Sequence, residues 1–101
     1  MSARHEYQYR LREQERRQEM HRARIRETTQ QYVERYRRVL EDVRDQGVAE
    51  YVRAEYLELS AQLNRIEANL AGDPGAARDL SLAIGRRVHA LPAVARGARQ
   101  Q

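Results

Sequence analysis

The sequence contains no cysteine, tryptophan, phenylalanine or lysine. Without cysteine there is no disulfide framework, thiolate zinc site, iron–sulfur cluster or thiol nucleophile. Without lysine there is no Schiff base and no phosphate-binding loop of the usual kind. The basic character rests entirely on 19 arginines, which leave a formal net charge of +4. Helix breakers are scarce as well: Gly47, Gly72, Gly75, Gly85, Gly97, Pro74 and Pro92 are all there are, and residues 1–46 contain none. No run approaches the roughly 18 apolar residues of a membrane span. The opening residues, MSARHEYQYRLREQERRQ, lack the apolar core of a signal peptide and are too rich in acids for a transit peptide. These absences predict a cytoplasmic protein that does not engage a membrane.

What is present is helical. Fourteen Ala, 11 Glu, 9 Leu and 19 Arg make up about half of the 101 residues, the composition of long helices and coiled coils. Leu, Ile and Val together number only 19, enough for one slim bundle, so association with a partner or a second copy is expected on physical grounds.

Between Tyr7 and Val43, 17 of 37 positions are charged, yet a line at steps of four and three meets no charge. It runs through Tyr7, Leu11, Gln14, Gln18, His21, Ile25, Thr28, Tyr32, Tyr36, Val39 and Val43, one face of a single long helix. Its middle is polar and packs weakly alone. Glu6 with Arg10, Glu13 with Arg17 and Glu34 with Arg38 stand in the favourable order four residues apart, which supports the helix without a core. A second stripe, Val48, Val52, Tyr56, Leu59, Leu63, Ile66 and Leu70, predicts a helix from about Val48 to Ala71. Gly47 lies between the two stripes. It either caps the first helix so that the chain turns back as a hairpin, the favoured arrangement because the stripes then face each other, or is passed through by one rod of some 65 residues. Gly72, Asp73 and Pro74 read as a helix end, an N-cap and a first helical position. A third helix follows, with core positions Ala77, Leu80, Ile84, Val88 and Leu91, to be ended or kinked by Pro92.

The expected architecture is all-α: a long N-terminal helix in an antiparallel hairpin or small three-helix bundle, coiled-coil-like, with an overhanging N-terminal arm. Residues 1–31 form the charged amphipathic arm, 32–91 the hairpin and third helix, and 92–101 a basic, frayed C-terminal tail.

Chemistry finds little purchase. His5, His21 and His89 have neither a Glu three residues before them nor a second His four residues on, so the helical metal-binding patterns are missing. Ser2, Ser60 and Ser81 lie in no nucleophile motif. No catalytic residue, metal or cofactor is expected. A helix-turn-helix with Gly85 at its turn is only faintly suggested, because Pro92 interrupts the would-be recognition helix. Charge is uneven along the chain, with net +3 over residues 1–31, −2 over 32–71 and +3 over 72–101. Arg86, Arg87, Arg96 and Arg99 have no acid among them and are candidate phosphate contacts. Tyr36 and Tyr51, near the bend, are candidates for the bulk that Phe and Trp would otherwise supply.

Two functions follow. The leading one is a non-enzymatic interaction or assembly module whose seam Tyr7, Leu11, Gln14, Gln18, His21, Ile25 and Thr28 docks on another protein's helix or a second copy. The alternative is a nucleic-acid-associated accessory protein using the basic ends.

Overall fold

The computed structural model describes residues 3–101. Helix α1 runs from Ala3 to Asp45, a 3-10 helix occupies Ala49–Val52, α2 spans Arg53–Asn69 and α3 spans Pro74–Arg99. At about 1.5 Å per residue α1 is about 65 Å long, which sets the 76 × 17 × 16 Å extents of the molecule. The helices pack on one another as an up-down-up bundle. Arg37 meets Asn64 and Glu67, and Arg87 meets Glu55 and Glu58, which makes α2 antiparallel to both neighbours. Contacts of Arg22 with Gly72 and of Tyr36 with Ser81 set α3 parallel to α1.

The turn at Gly47 decides between hairpin and rod. Gly47 has φ +72°, a left-handed conformation that side chains disfavour. Its N–H donates to Arg44 O at 2.9 Å and the Val48 N–H reaches Val43 O at 3.2 Å. These are the two bonds of a Schellman cap. Val43 and Val48, fully buried, close the hydrophobic contact across it. The expected helix from Val48 is broken: Ala49–Val52 is 3-10, and α2 starts at Arg53 after Val52 leaves helical dihedrals at φ −131° and ψ 35° to cap it. The tighter turn keeps Val48 beneath the bundle and brings the stripe of α2 round to the core. The second break follows the expected chemistry, with the Asp73 carboxylate accepting the Ala76 N–H at 3.1 Å and Pro74 opening α3.

The core is formed by Val33, Tyr36, Leu40 and Val43 of α1, Val48 of the turn, Leu59, Leu63 and Ile66 of α2, and Ala77, Ile84, Val88, Leu91 and Ala95 of α3. Three details differ from expectation. On α1 the buried row is Thr29, Val33, Tyr36, Leu40 and Val43, so the core direction is rotated from the neutral line; Thr28 is exposed, and Tyr32 and Val39 lie at the edge. Two helices cover α1 at once and need a broader face than a single seam. Second, α3 passes through Pro92 to Arg99. Interior proline costs about 3 kcal/mol, offset here by Leu91 and Ala95 on either side, both buried. Residues 92–99 are therefore helical rather than a frayed tail. Third, Gly85 lies inside α3, not at a turn. The Tyr36 hydroxyl approaches its backbone and donates to Ser81 O at 3.0 Å, and a Cβ at Gly85 would stand 2.8 Å from that hydroxyl oxygen.

Candidate interaction surface

The bundle begins where Arg22 Nη2 donates to Gly72 O at 3.3 Å, at the turn between α2 and α3. Residues 3–21 of α1 project beyond it by about 28 Å. An isolated helix of this length is marginal in water because nucleation is costly. Here the nucleus is supplied by the packed half of α1, and the arm only propagates from it.

Within the arm, Tyr7, Leu11, Gln14, Gln18 and His21 are exposed, with Tyr7 at 64% and Leu11 at 39%. Ile25 is half-buried and Thr28 is exposed. At 100° per residue the mean direction of Tyr7 through Ile25 falls within about 45° of the buried row further along α1. The face that α2 and α3 cover in the bundle thus continues, uncovered, along the arm. Of the expected seam positions, Tyr7, Leu11, Gln14, Gln18 and Ile25 lie within about 60° of the buried row's direction, whereas His21 and Thr28, about 80° and about 100° from it, lie at the edge of the face.

Of the three expected pairs four residues apart, Glu13 and Arg17 are within reach at 3.7 Å. Glu6–Arg10 and Glu34–Arg38 form no ion pair among the described residues. Arg26 instead reaches back two turns to Glu19 at 2.8 Å. A shallow hollow beside His5, Glu6, Gln8, Tyr9, Arg10 and Arg12 has only one helix for a wall, so it does not enclose a ligand.

The four arginines of the C-terminal segment are not equivalent. Arg87 is clamped on α2: Nε and Nη2 donate to the two Glu55 carboxylate oxygens at 2.8 and 3.0 Å, and Nη2 lies 2.9 Å from Glu58 Oε2. The hydrogen bond from Arg87 holds the Glu55 carboxyl below its ordinary range, and the bonds to Glu55 and Glu58 raise Arg87 above its own. Arg87 is thus a strut between α2 and α3 and is withdrawn from the phosphate set. Arg86, Arg96 and Arg99 remain exposed. A matching strut joins α1 to α2, where Arg37 Nε meets Glu67 Oε1 at 2.7 Å and Nη2 meets Asn64 Oδ1 at 3.0 Å. The Glu67 hydrogen bond raises Arg37. Both struts unite residues some 30 positions apart, which spacing along the sequence does not reveal.

Tyr36 supplies the aromatic bulk of the core, stacked on Tyr32 at 6.1 Å and met edge-on by His89 at 5.6 Å. Burial pushes its hydroxyl pKa up. Tyr51, expected to share that role, is exposed. Among the described residues no group of three or more His, Asp or Glu is placed to hold a metal ion, and no helix is long and apolar enough to cross a membrane. No protein-family model, curated protein or solved structure matches the chain.

Proposed function

We propose that this chain is a non-catalytic helical interaction module, in which residues from about 25 onward form a rigid bundle and the projecting first half of α1 docks on a partner helix. One observation carries this reading: the packed face of α1 continues beyond the bundle, with Tyr7, Leu11, Gln14, Gln18 and His21 uncovered. A helix anchored at one end and bare along its neutral face is suited to helix-on-helix recognition, which buries alternate rows of side chains at steps of three and four. The amphipathic arm adds little to the bundle's own core, all of which lies C-terminal to it, so its value is to be sought in association.

The test is affinity capture with the full chain, comparing wild type, the double variant Tyr7→Glu/Leu11→Glu, and Leu82→Glu as an exposed control on the bundle. The arm variant is expected to melt with the wild type and lose the captured protein that the control retains. An identical captured set from wild type and arm variant overturns the proposal. So does salt-sensitive binding of labelled DNA or RNA that is lost on neutralising Arg86, Arg96 and Arg99, since phosphate recognition by the C-terminal end would then be the function.

A further inference from the structure

Resting on the docking role of the arm, we infer that its partner is an acidic amphipathic helix of another protein rather than a second copy of this chain. The inference comes from the two edges of the uncovered face. On one edge stand Arg10, Arg17 and Arg24, each one residue before Leu11, Gln18 and Ile25, and so at intervals of seven. On the other stand Gln8, Glu15 and Arg22, each one residue after Tyr7, Gln14 and His21. Four of six edge positions are arginine and one is acidic. Arg10 and Arg24 have no carboxylate within 4.0 Å among the described residues, and Arg17, itself exposed, has only Glu13 at 3.7 Å.

Pairing with a second copy fails in both directions. In an antiparallel pair, Tyr7 would lie on the other copy's Ile25, Leu11 on His21 and Gln14 on Gln18, and the bundles would sit clear of each other at opposite ends. Each edge then faces the same edge of the other helix, which sets Arg10 against Arg24, Arg17 against Arg17 and Glu15 against Glu15. Every charged edge pair is repulsive, a pattern that selects against self-association. In a parallel pair the other copy's α1 would have to continue past residue 25 along a face that α2 and α3 already cover, with the turn at Gly72 held against Arg22. The bundles would collide. A foreign helix carrying Asp or Glu along its flanks meets neither obstacle. It can lie along Tyr7 to Ile25, about 27 Å, with its end near the α2–α3 turn and its carboxylates opposite the arginine edge.

The experiment titrates the full chain into a fluorescein-labelled helical peptide of about 24 residues with Leu and Ile on its apolar seam and Glu on both edges, followed by anisotropy at about 50 and about 300 mM salt. The same peptide with Lys at the edges, a labelled DNA duplex and the variant Arg10→Glu/Arg17→Glu/Arg24→Glu complete the set, with molar mass of the chain alone from light scattering. The expected result is a chain of 11.9 kDa that binds the Glu peptide at least about tenfold more tightly than the Lys peptide at low salt, with the preference reversed in the variant and narrowed at high salt. Equal or better binding of the Lys peptide overturns the charge assignment while leaving arm docking intact. A chain of twice that mass that becomes monomeric in Tyr7→Glu/Leu11→Glu makes a second copy the occupant. Binding of the duplex in place of the Glu peptide, lost in the Arg variant, assigns the edge to phosphates. If neither peptide binds, arm docking itself falls.

Discussion

Replacing Gly85 with Ala tests how α1 and α3 are held together. An added methyl in a helix interior normally stabilises by about 0.5–1 kcal/mol, because glycine loses more backbone freedom on folding. At this position the new Cβ would stand 2.8 Å from the Tyr36 hydroxyl oxygen and 3.6 Å from Cζ. Only the first distance is a clash. Relieving it displaces a buried ring and its hydroxyl bond to Ser81 O, which costs roughly 1–3 kcal/mol in a packed core. Gly85→Ala is therefore expected to destabilise by about 1–2 kcal/mol. Tyr36→Phe alone loses one hydrogen bond, about 0.5–1.5 kcal/mol. In the Tyr36→Phe background the clashing atom is gone and the remaining ring carbon is at ordinary contact distance, so the same Gly85→Ala change should now stabilise by about 0.5–1 kcal/mol. The change of sign amounts to a coupling of about 2 kcal/mol, read from thermal or urea unfolding of the four proteins by circular dichroism. At about 4–8 °C per kcal/mol for a domain of this size, it is well above error. If Gly85→Ala destabilises equally in both backgrounds, the close approach of Tyr36 is not what makes glycine necessary, and the reasoning fails.

Thr29 is fully buried and its hydroxyl has no hydrogen-bond partner, so Thr29→Val should raise stability by about 1 kcal/mol, and an unchanged or lower Tm would point to an undetected partner. Gly47→Ala places a side chain at φ +72° and is expected to lose about 1 kcal/mol while leaving the hairpin intact, which urea midpoints will check. Since Glu55 is held below its ordinary pKa by Arg87, its contribution is present above the usual glutamate range and lost as pH falls through and below it. Glu55→Gln should accordingly lower Tm slightly at pH 7 and by progressively less as the pH falls below the usual glutamate range, whereas an equal loss throughout would mean that Glu55 acts by packing alone.

The break between Gly72 and Pro74, and the favoured bend at Gly47, were legible because they are matters of local chemistry, whereas the start of α2 at Arg53 and the passage of α3 through Pro92 were not. A glycine able to adopt positive φ, an aspartate followed by proline, and 46 residues without a breaker act within a few residues of themselves, and the stripe of α2 could be read because Leu59, Leu63 and Ile66 have no apolar competitors on neighbouring rows. On α1 there were two such rows, Tyr32 with Val39 and Val33 with Leu40, and periodicity does not choose between them. The arm face was visible as a run of uncharged positions, but that its middle is bare depends on where the α2–α3 turn stops.

The sequence by itself determined that the chain is helical, that it breaks between Gly72 and Pro74, and that its first helix outruns any core that 19 aliphatic residues could build, while at Gly47 it favoured a bend over a continuous rod without deciding between them. Only the tertiary structure decided which row of α1 is buried, that Arg87 is bound to Glu55 and Glu58, that Gly85 makes room for Tyr36, and that Pro92 is carried inside α3. The first set depends on hydrogen bonds and side-chain spacing along one helix. The second depends on distances between residues far apart in the chain, which come into being when three helices settle against one another and their faces compete for the same core.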